Sequence, residues 1–199
     1  MKLYEVFYRE ITTDYLSGKN LFTQKEMSDR LGISISNINR ALKELEAINA
    51  VVIRPSAFKI IAIDRLLLYW ATHRKLERDI VYSAFANMRI NEIEASMVNG
   101  VAFTAYTAYK KIYNDIPANY SEVYVYATED ALYEIKKGFP LHKSYDNIFV
   151  LKTDPILEKR IENGIVVVPV PNIFVDLWNI NTWYAKDFVD ALAKRLFGD

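Results

Sequence analysis

Residues 21–49 read LFTQKEMSDRLGISISNINRALKELEAIN, and the fold turns on how this stretch is understood. Thr23 is followed three residues later by Glu26, a capping box that opens a helix. Met27 and Leu31 then share one face at i, i+4. Gly32 stops the helix, because glycine accepts positive φ at little steric cost. Ile33 is the buried residue of the turn, and Ser34 has the chemistry of an N-cap for a second helix. Ile38, Leu42, Leu45 and Ile48 make the apolar stripe of that helix. Its opposite face carries Ser36, Asn37, Asn39, Arg40 and Lys43, clustered toward the amino-terminal end. Such side chains hydrogen-bond base edges or phosphates. An ordinary αα-hairpin would need the apolar stripes but not this polar edge.

On the segments TQKEMSDRLGIS and SNINRALKELE the stretch resembles the helix-turn-helix of winged-helix transcription regulators of the MarR and Lrp kind. The resemblance implies double-stranded DNA as a partner, with the second helix in the major groove. Arg40, Asn37 and Asn39 would read bases, and Ser36 and Lys43 would hold phosphates. Thr23 and Gln24 at the start of the first helix, and Ser34 at the start of the second, complete the DNA-facing set of the helices. One winged helix covers a short site, so a homodimer on a two-fold operator is expected.

The flanks agree with this. Residues 3–17 place Leu3, Phe7, Ile11 and Tyr15 at i+4 steps with Val6 alongside, an amphipathic helix closed by residues 17–20. After the second helix, β-branched runs at 51–53 and 59–63 flank Pro55 and Ser56, which predicts a hairpin in the position of a wing. Arg54, Ser56 and Lys59 at its tip reach phosphates or the minor groove on this reading. Asp64 caps a further helix over 65–76, whose Leu66, Leu67, Leu68, Trp70 and Leu76 cover more than one face. Such a helix is buried between two bodies.

Bulk properties narrow the classes. With 199 residues and 51% apolar content the chain can bury a sizeable core. Basic and acidic residues balance at 25 each, but unevenly: residues 1–78 hold 13 basic and 9 acidic side chains, and residues 79–199 hold 12 and 16. The amino-terminal part is the one suited to a polyanion. The absence of cysteine excludes disulfides, Cys-ligated zinc and thiol catalysis. With two histidines, His73 and His142, no metal and no cofactor are expected. No signal peptide and no membrane span are read, so the expected location is the cytoplasm.

Beyond residue 78 the texture changes. Residues 100–113 read as helix, 122–127 as a strand, and 131–137 as a helix capped by residues 128–130 and ended by Gly138. Residues 147–151 and 164–168 read as strands, and 172–197 as a long helical close. The expected fold is α+β: a winged helix-turn-helix over 1–78 and an α/β unit with a small mixed sheet over 79–199. The order NGVAFTAYTAYK, SEVYVYA, NIFVLK, VPNIFVDLWN, AKDFVDALAKRL resembles the nucleotidyltransferase-like domain behind a winged helix in certain prokaryotic regulators, including antitoxins of type IV abortive-infection systems.

An active enzyme of that kind needs two carboxylates on alternate positions of one strand to hold Mg²⁺. Here Tyr124 and Tyr126 stand in that strand, and the upstream turn at Gly100 and Val101 lacks a hydroxyl. No catalysis and no catalytic residue are therefore expected. Asp176 reads as a structural carboxylate. The tyrosines at 106, 109, 113, 120, 124 and 126 read as packing, with an aromatic ligand pocket as the alternative. Three functions stay open at this point: a DNA-binding regulator with a carboxy-terminal effector-sensing or dimerisation domain, an antitoxin-like autoregulator whose carboxy-terminal domain binds a partner protein, and a nucleotidyltransferase. The effector of the first is a small molecule or a protein.

Overall fold

A computed structural model describes residues 1–141 and 145–198. His142 lies outside the described residues. The chain combines helices and strands, with a helix-turn-helix at its amino-terminal end. Helices α1 (Leu3–Leu16), α2 (Gln24–Leu31) and α3 (Ile35–Ala47) precede a two-stranded wing, β1 (Val51–Ile53) and β2 (Phe58–Ile60). The Thr23 hydroxyl accepts from the Glu26 N–H at 3.1 Å and starts α2. Gly32 ends α2 at φ 65° and donates to the Ser28 carbonyl. Ser34 accepts from the Asn37 N–H at 3.3 Å and starts α3. Strands β1 and β2 pair antiparallel, with Val51 opposite Ile60 and Ile53 opposite Phe58. Phe22 adds a single bridge to Phe58, and the two rings stack at 5.3 Å. Such a pair contributes about 0.5–1.5 kcal/mol beyond its buried area.

Helix α1 departs from a simple amphipathic reading. Every residue from Glu5 to Thr12 is buried, while Leu3 is left exposed. The reason is that α1 is packed on both sides, against α3 and α4 (Ile63–His73) and against α9 (Val170–Trp178). Helix α4 is shorter than the spacing predicts. Its N-cap is Ala62, Asp64 sits in its first turn, and it ends at His73. Arg74 turns to an extended conformation, which sends its side chain inward, and Leu76 falls in a 3-10 turn at Leu76–Asp79. Leu66, Leu67 and Trp70 are buried, whereas Leu68 is exposed.

The remainder comprises β3 (Ile80–Ala84), α5 (Ile90–Ala95), β4 (Val101–Thr104), α6 (Ala105–Tyr113), β5 (Val123–Ala127), α7 (Glu129–Gly138), β6 (Ile148–Lys152), α8 (Pro155–Glu162), α9 and α10 (Ala185–Phe197). The sheet order is β3-β6-β5-β4, with β5 and β6 parallel and both outer pairs antiparallel. Three expectations are corrected. Residues 100–113 are not one helix: residues 101–104 pair with β5, and Ala105 at φ 51° turns the chain sharply into α6. Residues 164–168 form no strand; Phe103 makes one parallel bridge to Val167, and Pro169 begins α9. Residues 172–197 break into α9 and α10 around Asn179. Strand β3 and helices α5 and α8 had no expected counterpart.

Burial of β5 is complete, from Val123 to Ala127. Alternation puts Tyr124 and Tyr126 on one face. Tyr124 stacks on Phe149 at 4.7 Å, and Tyr106 packs against Tyr120, Tyr124, Tyr184 and Phe188. The tyrosine run is packing.

Candidate nucleic-acid interface

Helix α3 buries Ile38, Ala41, Leu42 and Leu45 and turns its other side outward. Ser36, Asn37, Arg40 and Lys43 are exposed, and Asn39 is half-buried. The Asn39 amide donates to the Gln24 carbonyl oxygen at 3.4 Å, which ties α3 to α2. Thr23 and Ser34 spend an acceptor lone pair on capping, so each hydroxyl retains its proton for an outside acceptor. These are donors of the kind that hold phosphates.

The wing is held close to α3. Glu46 accepts from the Ile53 N–H at 3.4 Å, and the tip closes tightly with Arg54 N–H donating to the Ala57 carbonyl at 2.7 Å. Arg54 and Ser56 are exposed at that tip, and Lys59 is half-buried on β2. The described chain thus brings Gln24, Asn39, Ser36, Arg40 and Lys43 together on one outward surface, with Arg54 and Ser56 at the end of a separate hairpin.

The charge of the first 78 residues is less available than its count implies. Arg9 is buried and donates to Asp154 at 2.6 and 2.9 Å, and it also pairs with Glu10. Arg74 is buried among Glu5, Asp79 and Asp176. Lys19, Lys25 and Arg30 pair with Glu26, Asp29 and Asp14. The Lys19 hydrogen bond, against a small cost of burial, holds the Glu26 carboxyl below the usual range. Among the described residues Arg40, Lys43, Arg54 and Lys59 have no ion-pair partner. Lys2, Arg65, Lys75 and Arg78 are likewise without an ion pair among the described residues, so α3 and the wing carry half of the unpaired cations of this segment, a division that counting along the sequence could not show.

The carboxy-terminal half holds a second polar cluster, and it faces inward. Asp176 on α9 is fully buried and accepts from Thr104 at 2.8 Å, Tyr126 at 2.9 Å, Asn172 at 2.7 Å and Arg74 at 3.3 Å. Burial pushes the Asp176 carboxyl up, and Arg74, Thr104 and Tyr126 only partly offset this. The carboxylate is saturated by the protein's own donors. Among the described residues no group of three or more His, Asp or Glu side chains converges as a metal site requires. Nor is any helix among them long and apolar enough to cross a membrane.

No curated protein and no solved structure matches the chain. Residues 21–51 match the family model described as winged helix-turn-helix DNA-binding. That span runs from the residue before Phe22 to the first residue of the wing, so the match covers the helix-turn-helix of α2 and α3 and supports a winged helix-turn-helix of the DNA-binding kind at the amino-terminal end.

Proposed function

We propose that the protein is a sequence-specific transcription regulator that reads duplex DNA with α3. Arg40, Asn37 and Asn39 contact base edges, and Ser36, Lys43, Thr23, Gln24, Ser34, Arg54, Ser56 and Lys59 set the register on the backbone. The observation that carries this reading is the exposed edge of α3, with two unpaired cations, inside a segment that matches a DNA-binding family. On this reading residues 1–78 are the DNA-binding domain and 79–199 a non-catalytic sensing or dimerisation domain. The protein works in the cytoplasm as a homodimer on two half-sites about one helical turn apart.

A second reading keeps the winged helix and makes the carboxy-terminal domain the binder of a partner protein, as in an antitoxin-like autoregulator. It rests on the resemblance to a nucleotidyltransferase-like fold. Support for the absence of catalysis comes from β5, whose Tyr126 hydroxyl is buried against Asp176 rather than offered to a nucleotide.

The test is selection of bound duplexes from a random pool with the full chain at fixed salt. A recovered motif with two-fold half-sites is expected. Binding with no sequence enrichment would overturn the first reading, and a single half-site would overturn the dimer.

A further inference from the structure

A cavity of 420 Å³ lies between α1, α3 and α4 and opens on the flank of α3. Its floor is apolar, formed by the buried side chains of Phe7, Ile38 and Ala41. Its walls are aromatic: Tyr4, Tyr69 and His73, with the Tyr69 and His73 rings 4.1 Å apart. Glu44 stands at the mouth and accepts from the Tyr69 hydroxyl at 2.7 Å through one carboxylate oxygen. Asn37 and Arg40 complete the rim. The size is that of a small organic ligand, and the mixture of apolar floor with few polar groups is that of a binding pocket.

The sign of the charge it prefers can be read from its walls. Burial pushes the hydroxyls of Tyr8 and Tyr69 up, Tyr69 to about 12, and the Glu44 carboxylate pushes both further in the same direction. The negative charge of Glu44 is tied to the cavity wall through the Tyr69 hydroxyl, whereas among the described residues no hydrogen bond or ion pair ties Arg40 to that wall. Aromatic faces attract cations as well. The Tyr4 ring already has one such partner, the Lys2 ammonium 5.5 Å from its centre.

We propose that this cavity binds a small organic cation, an ammonium group on an apolar body. The charge is held between Glu44 and the faces of Tyr4 and Tyr69, and the body rests on Phe7, Ile38 and Ala41. Because Asn37 and Arg40 belong to the DNA-facing set, ligand and duplex share a rim. A seated ammonium adds positive charge to this flank and repels Arg40 away from the mouth, toward the side from which a duplex approaches. Occupancy then strengthens DNA binding, and DNA strengthens ligand binding by the same factor. This coupling rests on the DNA-binding reading above; the binding of the cation does not.

Isothermal titration of the full chain, without DNA, compares 3-phenylpropylamine with 3-phenylpropionate, similar bodies of opposite charge. Saturable one-to-one binding of the amine is expected, and none of the carboxylate. Glu44→Gln keeps the size and removes the charge, and weakens the amine by about tenfold. Tyr4→Leu keeps apolar bulk and removes the ring, and weakens it by about three- to tenfold. A silent amine, a carboxylate that binds as well, or unchanged amine affinity in either folded variant overturns the site. Duplex binding is then measured at fixed salt with and without saturating amine. Tighter binding supports the coupling, and unchanged or weaker binding overturns it. A chain that binds the amine but no duplex overturns the DNA reading and leaves the site standing.

Discussion

Arg74 and Asp176 are 102 residues apart in the chain and 3.3 Å apart in space, the Nε of one donating to the Oδ1 of the other with both side chains out of reach of water. Arg74 leaves the end of α4, close to the winged helix, and Asp176 belongs to α9. Arg74 also reaches Glu5 at 3.4 Å and the Tyr126 hydroxyl at 3.0 Å, so the pair joins α1, α4, α9 and β5. A charge in such a place is tolerated only because it is matched.

Replacing Arg74 with Met removes the cation and leaves the buried Asp176 and Glu5 without the charge that each pairs with. The expected loss is about 3–5 kcal/mol of unfolding free energy, read by urea titration. Adding Asp176→Asn to Arg74→Met recovers part of that loss, so the double variant is more stable than the sum of the single changes implies. Strict additivity would show that the two side chains do not act as a pair.

The pair Arg9–Asp154 gives a pH dependence of definite sign. Burial pushes the Asp154 carboxyl up, but the Arg9 hydrogen bonds and charge outweigh it and the net direction is down. Its stabilisation is therefore present above the ordinary aspartate value of about 3.9 and is lost as pH falls through the lower folded value. Asp176 has the opposite sign. Its folded value is raised, so its contribution is full below the ordinary range and is lost as pH rises through the folded value. Unfolding free energy measured from acid to neutral pH is expected to fall less steeply on the acid side in Asp154→Asn than in the parent. An acid limb of unchanged slope would refute the role given to Arg9.

On DNA, Arg40 and Lys43 are expected to fail differently. Arg40→Ala costs about 1–3 kcal/mol at a selected site and relaxes preference at one base position. Lys43→Ala weakens selected and unrelated duplexes alike and lowers the salt slope of log K by about 1. Equal effects of both changes on every duplex would mean that α3 meets only phosphates.

Gly100 is held by its surroundings as well as by its φ of 84°. A Cβ there would stand 2.9 Å from the Thr128 hydroxyl and 3.2 Å from Ala131 Cβ. Gly100→Ala is expected to cost about 1–3 kcal/mol, combining left-handed backbone strain with a clash against the start of α7. Gly32→Ala has the strain without the clash, since no atom lies within 4 Å of its would-be Cβ, and is expected to cost about 1 kcal/mol. Thermal denaturation ranks the two, and the reverse order would contradict this account.

What the sequence determined by itself is the winged helix. Thr23 with Glu26, Gly32, Ser34 and the 38, 42, 45 spacing each act within one or two helical turns, so the residues that make the signal also make the contact. The strand at 123–127 was legible for the same reason, through strict alternation of short range. Residues 101–104 were not: the run has no turn residue before Ala105, and only β5 lying alongside makes it a strand. Tertiary structure alone decided which cations remain free. Arg9 and Arg74 look like their neighbours in a count of charge, yet Asp154 and Asp176 neutralise them from more than 100 residues away. Pairing at that range follows from how helices pack rather than from any period along the chain. That is why α3 shows its chemistry in one dimension and the cavity beside it only in three.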